Sequence, residues 1–173
     1  MGLRAAVVAL CASISFAGPA SACALRLLLA LDVSASLSEY EYNLQRSGLA
    51  QAFRDPDIAA AILALGGMRV AVTQWASPHE QQLAIGWQSL RIAQDIGHLA
   101  DRIERLSDPF PRGATAIGNA LVHDGQVIAA DPVPCRRTVI DVSGDGATNT
   151  GIHTGTAADA LAALGIVING LVI

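Results

Sequence analysis

The residues best suited to chemistry carry side-chain oxygens, and the first group follows an apolar run at 27–31. Asp32, Ser34 and Ser36 occupy alternate positions directly after that run. In an extended or gently curving segment, side chains two positions apart point the same way, so these three oxygens converge. Open α/β sheets place their ligand sites at the carboxyl ends of strands. The motif therefore predicts half of a divalent-metal site.

Two later motifs supply the other half. Thr115 follows Gly113-Ala114 at the mouth of a predicted helix, and Asp145 stands between two glycines just past a predicted strand. The full set holds carboxylates and hydroxyls without His or Cys, and such hard donors suit Mg²⁺, Mn²⁺ or Ca²⁺ and disfavour zinc or copper. We expect Mg²⁺, which keeps several waters and accepts few protein carboxylates. The alternative is that Asp32 and Asp145 are loop carboxylates that cap helices.

The elements that must position these motifs predict a single α/β domain. The run at 27–31 is typical of a strand buried on both faces. Two further strands are predicted at Arg69–Trp75 and Gln82–Trp87. Their connection is too short for a crossover helix, so we expect them to form an antiparallel hairpin at one sheet edge. Elsewhere strands alternate with helices. We predict a doubly wound, Rossmann-like, mostly parallel sheet with helices on both faces.

The helix after the first motif has a clear start. Ser38 and Glu41 form a capping box, and the helix is predicted to end at Arg54, before a proline. Its inward stripe is predicted to be Leu44, Gly48, Leu49, Ala52 and Phe53. Gly48 is expected to let the helix approach the sheet closely.

Residues 1–22 have the pattern of an export signal. A single arginine precedes an apolar stretch, Gly18-Pro19 interrupts it, and Ala20-Ser21-Ala22 is a small-residue cleavage site. Cleavage would leave one domain, 23–173, that is periplasmic or secreted and has no integral membrane segment. A membrane anchor, or lipidation of Cys23, is the alternative.

The charge pattern of the sequence gives no sign of two classes of partner. The chain has a net charge of −4, all eleven basic residues are arginine, and no basic run exceeds Arg136-Arg137. The sequence therefore shows no electrostatic footprint for nucleic acid or an anionic membrane.

The cysteines outside the signal segment suggest a bridge. Cys23 lies nine residues before Asp32, and Cys135 lies ten residues before Asp145. If the two strands are parallel neighbours aligned at their carboxyl ends, the cysteines meet at the other ends. A disulfide is favoured outside the cytoplasm. Two unpaired thiols are the alternative.

The three motifs, in this order and spacing, resemble the metal-ion-dependent adhesion site of von Willebrand factor type A (vWA) domains. The resemblance covers about Leu25 to Ile173. It implies that Ser34, Ser36 and Thr115 contact the metal, while Asp32 and Asp145 hold it directly or through water. It also implies a binding function without turnover, in which a protein ligand offers an acidic side chain to the metal.

Further stretches are similar to a secreted bacterial branch of that family whose function is unknown. These include Leu44-Gln45-Arg46, Gln74-Trp75, Trp87, Ile140–Gly146 and Ile168–Leu171. That branch usually continues through another helix and strand, so we expect the present sequence to be shorter at its carboxyl end than the complete fold.

Two other functions fit the same residues less well. A metal-dependent hydrolase or phosphoesterase of the cell envelope needs a general base, and the sequence offers none beyond the metal ligands themselves. A purely structural exported module needs no metal at all. Asp141, inside an apolar strand, is interpreted as a hydrogen-bonded core group, with a role supporting a metal ligand as the alternative.

Overall fold

The computed structural model describes residues 23–173, so the predicted signal segment lies outside the described residues. Five strands and five helices follow one another in these bounds: β1 (Cys23–Asp32), α1 (Glu39–Arg54), α2 (Pro56–Ala64), β2 (Met68–Trp75), β3 (Gln81–Leu90), α3 (Ala93–Glu104), α4 (Ile117–Ala129), β4 (Cys135–Gly144), α5 (Thr154–Ala163) and β5 (Ile166–Val172).

The strands form one mixed sheet with β1 at its centre. The strand order is β3-β2-β1-β4-β5. β1 runs parallel to β2 and β4, and β4 runs parallel to β5, whereas β2 and β3 are antiparallel. This confirms the predicted doubly wound α/β fold with an antiparallel edge hairpin. The hairpin forms because the link between β2 and β3 is too short for a crossover helix.

Helices cover both faces of the central strand. Leu29 and Leu31 face a core shared with α1 and α3. Leu28 and Ala30 face the opposite core, shared with α4 and α5. Successive side chains of a strand point to opposite faces, so an uninterrupted apolar run is what a strand with two covered faces requires.

The first helix begins as predicted but buries a different set of residues. The Ser38 amide donates to the Glu41 carboxylate at 2.8 Å, and the Glu41 amide donates to Ser38 Oγ at 3.2 Å. The helix buries Gln45, Ala50 and Phe53. Leu44 is 52% exposed, so the predicted stripe is wrong at that position.

Two positions that were predicted to face the core border a groove instead. Leu44 and Gly48 line a largely apolar groove of about 580 Å³ beside β5. A Cβ on Gly48 would meet no atom within 4 Å. Gly48 therefore does not serve a close approach to the sheet, contrary to the prediction.

A disulfide joins the first and fourth strands. Cys23 and Cys135 are register partners in the β1–β4 pair, their Cα atoms are 4.4 Å apart, and their sulfurs are bonded. The predicted bridge is confirmed. It arises because the two parallel strands start level with each other.

Candidate metal centre

The site lies where two neighbouring parallel strands end together. β1 ends at Asp32 and β4 ends at Gly144, and Leu31 is the register partner of Ser143. The loops that follow both strands therefore leave the same edge of the sheet. Thr115, on the loop before α4, reaches this edge from the side.

The structure brings all five predicted oxygen-bearing residues together. Ser34 Oγ lies 3.0 Å from Ser36 Oγ and 3.4 Å from Thr115 Oγ1. Ser36 Oγ donates to Asp145 Oδ1 at 2.9 Å. The Ser34 amide donates to Asp32 Oδ1 at 2.7 Å, which fixes the orientation of that carboxylate. The side-chain oxygens of four of these residues form one chain of contacts, and Asp32 joins it through the Ser34 amide.

One oxygen in this set lacks a partner. Asp32 is fully buried, and its Oδ2 makes no hydrogen bond to any residue within 23–173. A buried carboxylate oxygen without a partner is costly. Gly144 leaves space beside it, since a Cβ there would lie 2.7 Å from Asp32 Oδ2. The residues therefore fit a cation that would compensate this charge.

The electrostatics of the site point the same way. Burial raises the pKa of the Asp32 carboxyl above its ordinary value. Hydrogen bonds from Ser34 oppose this rise, and the nearby negative charge of Asp145 adds to it. A buried carboxylate beside a second, half-buried one creates a local demand for positive charge that a divalent ion satisfies.

Backbone hydrogen bonds tie the three loops into a frame. The Ala35 amide donates to the Gly113 carbonyl at 2.8 Å. The Asn149 amide donates to the Thr115 carbonyl at 2.9 Å, and Asn149 Oδ1 accepts from the Thr115 amide at 3.0 Å. Asn149 thus holds Thr115 in place from both sides of its peptide unit.

Asn149 and Gln45 support the site, although neither was predicted to do so from the sequence. Gln45 Nε2 donates to the Asp32 carbonyl at 3.0 Å, and its Oε1 accepts from Ser143 Oγ. Gln45 therefore links α1 to the ends of β1 and β4 behind the site. The only sequence signal was a glutamine on the inward side of an amphipathic helix, where a polar residue needs a bonded partner.

Asp141 lies apart from the oxygen cluster. Its Oδ1 accepts from Asn169 Nδ2 of the neighbouring strand β5 at 2.7 Å. The side chain is hydrogen-bonded as interpreted, but it borders the groove beside β5 instead of the core.

Acidic and nitrogen ligands alone do not form a metal cluster in the part of the chain that the structure describes. No three His, Cys, Asp or Glu side chains come together there in a group that could hold a metal ion. Any cation at the candidate centre thus depends on the hydroxyls of Ser34, Ser36 and Thr115.

The family to which the chain belongs follows from its sequence. The model of a family described as "Protein of unknown function (DUF1194)" matches residues 22–173. The chain belongs to this family. No curated protein sequence matches the chain.

Solved structures identify the fold of this family member as that of vWA domains. Proximal thread matrix protein 1 from the mussel byssus is similar with a TM-score of 0.66 and 17% identity, over 86% of this chain and 38% of that one. BatB from Bacteroides thetaiotaomicron is similar with a TM-score of 0.63 and 19% identity, over 86% of this chain and 66% of that one. The pilus adhesin SpaC from Lactobacillus rhamnosus GG has a TM-score of 0.65 and 12% identity, over 88% of this chain and 25% of that one.

The matched region is only part of each of these proteins, since this chain covers 25% to 66% of their length. The mussel protein also has a structure with a zinc-occupied MIDAS motif, the metal-ion-dependent adhesion site. Within residues 23–173 of the DUF1194 member, no helix combines the length and apolar character needed to cross a membrane.

Proposed function

We propose that this domain binds a divalent cation through Asp32, Ser34, Ser36, Thr115 and Asp145, and that the loaded site binds a protein ligand without turnover. The observation that carries the proposal is the convergence of these oxygens around the unpartnered Oδ2 of buried Asp32. Mg²⁺ is the ion we expect, with Mn²⁺ and Ca²⁺ as the alternatives, because every donor is a hard oxygen.

The ligand is proposed to be a protein that offers an acidic side chain. A bound divalent ion supplies a Lewis-acidic position that attracts an anionic oxygen. Three of the five donors of this chain are neutral hydroxyls, so an ion whose direct ligands are mostly these hydroxyls stays electron-poor, with the carboxylates acting in part through water. A carboxylate from a partner can therefore complete the site.

The similar structures support this role only by analogy. SpaC is a pilus adhesin, and the mussel protein has a MIDAS motif occupied by zinc. Export to the periplasm or the medium is proposed from the pattern of residues 1–22 and from the Cys23–Cys135 disulfide.

Metal dependence is tested by isothermal calorimetry and thermal unfolding with Mg²⁺, Mn²⁺, Ca²⁺ and EDTA. The wild type is expected to bind one ion and to gain stability that EDTA removes. Asp32→Ala and Thr115→Ala are expected to lose this gain. Asp141→Asn is the matched control, and it is expected to keep the gain. Asp141 lies three residues before the end of β4, outside the oxygen cluster, and its side chain binds only Asn169 among the described residues.

The same proteins distinguish the competing functions. Carboxylate-bearing peptides are expected to bind the loaded wild type and to be released by EDTA. If neither the thermal stability nor the peptide affinity changed on addition of metal or EDTA, the proposal would be contradicted and a structural module would be favoured. Turnover of esters or phosphoesters that disappears in Asp32→Ala would favour the hydrolase.

A further inference from the structure

A second polar pocket lies at the end of the sheet opposite the candidate metal centre. It has a volume of about 360 Å³, and its lining includes Arg69, Arg91, Arg136 and Ser89 but no Asp or Glu. Arg69 is the register partner of Arg26, which precedes Asp32 by six residues on β1. At ~3.3 Å per residue, the two sites are roughly 20 Å apart. We call this depression the arginine pocket.

Arg69, in the lining of the arginine pocket, belongs to a charged network that extends behind the pocket. Arg69 forms a two-point ion pair with Asp131, at 2.8 and 2.9 Å, and Arg26 Nε lies 3.2 Å from the same carboxylate. Both guanidinium groups also lie over the ring of Trp87, at 5.9 and 5.6 Å from its centroid. Two largely buried arginines thus share one buried carboxylate, so this network has a net positive charge among residues 23–173.

One polar group of this network remains unsatisfied. Arg26 Nε is buried and, despite its closeness to Asp131, makes no hydrogen bond within residues 23–173. Arg69 Nη1 donates to Ser89 Oγ at 3.0 Å, which leaves the Ser89 hydroxyl proton free to donate into the pocket. Excess buried charge is costly unless an anion compensates it.

The rim adds two more positive charges. Neither Arg91 nor Arg136 has a carboxylate within 4.0 Å of its guanidinium in the described part of the chain. Asp95 accepts from the amides of Arg91 and Ile92, which lower the pKa of its carboxyl, and the Arg91 charge lowers it further, so Asp95 partly offsets that charge. The exposed Arg136 follows Cys135, whose backbone the disulfide anchors to the start of β1.

We propose that the arginine pocket binds a phosphoryl group. Guanidinium forks match the oxygens of phosphate and carboxylate. The lining holds three arginines and no acidic residue, which favours the group with the larger negative charge, and a phosphate monoester carries about −1.5 to −2 at neutral pH. The concave shape and small volume suit a single compact group. The site is independent of the candidate metal centre.

Calorimetry and ³¹P NMR with pyrophosphate and a phosphate monoester test the proposal, in EDTA and at matched ionic strength. The wild type is expected to show saturable binding that weakens at least about tenfold in Arg91→Gln/Arg136→Gln. Arg137→Gln is the matched control. Arg137 follows Arg136 on β4, but it lines a different depression. This variant is expected to change affinity less than about twofold.

The source of the phosphoryl group is resolved by vesicles that contain phosphatidic acid, whose headgroup is a phosphate monoester, and by vesicles of phosphatidylcholine. Binding to the anionic vesicles that the double variant loses would identify a lipid headgroup, and binding to the soluble phosphates alone would identify a free ligand. Either result supports the proposal.

Three results would overturn it: no saturable binding to any of these probes, equal weakening by Arg137→Gln, or unchanged binding in the double variant. If the double variant does not fold, Arg136→Gln alone replaces it in the test, because this substitution changes only one exposed side chain. A loss of stability in Arg91→Gln without any change in phosphate binding would assign the arginines a purely structural role.

Discussion

At the scale of single residues, the candidate centre depends on a glycine as well as on the oxygen-bearing side chains. Gly144 borders Asp32 Oδ2, and a Cβ there would lie 2.7 Å from that oxygen. Gly146 follows two residues further along the same loop, and a Cβ on it would meet no atom within 4 Å. The two glycines therefore make a matched pair.

Gly144→Ala is expected to displace Asp32, to lower the free energy of unfolding by about 1–3 kcal/mol, and to reduce the stability gained from Mg²⁺. Gly146→Ala is expected to change neither quantity measurably. Thermal unfolding with and without Mg²⁺ measures both effects. Equal behaviour of the two variants would contradict the assignment of space beside Asp32 to an ion.

A second buried carboxylate predicts a pH dependence. Asp124 on α4 accepts from Thr73 Oγ1 at 2.9 Å, and its Oδ2 is buried without a partner in the described residues. Burial raises the pKa of this carboxyl, while hydrogen bonds from His123 and Thr73 lower it. Because the folded-state pKa is raised above 3.8, its stabilising contribution is complete below pH 3.8 and is lost as pH rises through the folded-state value.

Asp124→Asn removes this titration and keeps an acceptor for Thr73. We expect the variant to be more stable than the wild type at neutral pH, with the difference shrinking as the pH falls toward 3.8. Urea unfolding of both proteins across this range measures the difference. A constant difference at all pH values would show that the Asp124 pKa is not raised by folding.

At the scale of elements, two helical glycines have opposite surroundings. Gly48 on α1 is exposed, and a Cβ there would meet nothing within 4 Å. Gly118 on α4 is buried, and a Cβ would lie 2.0 Å from the Ile152 carbonyl oxygen. Gly118 thus allows the loop at 151–153 to lie against the start of α4, the helix that follows Thr115.

Gly48→Ala is expected to stabilise the protein by about 1 kcal/mol, because alanine favours the helix and no atom opposes it. Gly118→Ala is expected to destabilise it by about 1–3 kcal/mol, because the loop must move. Chemical denaturation of both variants measures these changes. If Gly48→Ala were less stable than the wild type, the result would support the close helix–sheet approach that the sequence pattern suggested.

At the scale of the whole molecule, the disulfide closes most of the described chain into one loop. Cys23 and Cys135 are separated by 112 residues. Reducing agent, or the double change Cys23→Ser/Cys135→Ser, is expected to lower the free energy of unfolding by about 2–5 kcal/mol. Urea unfolding measures this loss, and the double variant is expected to be insensitive to the reductant. An intact mass that does not rise on reduction would show that no bridge had formed.

Much of the architecture is local information and was therefore predictable. The apolar run at 27–31 needs no partner to reveal a strand with two buried faces, and the capping box at Ser38 is complete within four residues. The spacing of Asp32, Ser34 and Ser36 fixes their common direction because strand side chains repeat every two residues. The aligned strand ends likewise predicted the cysteine pair.

Other features depend on which elements come to lie next to each other, and local patterns in the chain could not reveal them. Burial of Gln45 and exposure of Leu44 follow from where α1 sits over the sheet, a choice that helical periodicity leaves open. Arg69, Arg91 and Arg136 come from three separate segments, so no basic run in the sequence marks the pocket they line. Local spacing sets the direction of a side chain within its own element, whereas its neighbours across the fold are set by packing.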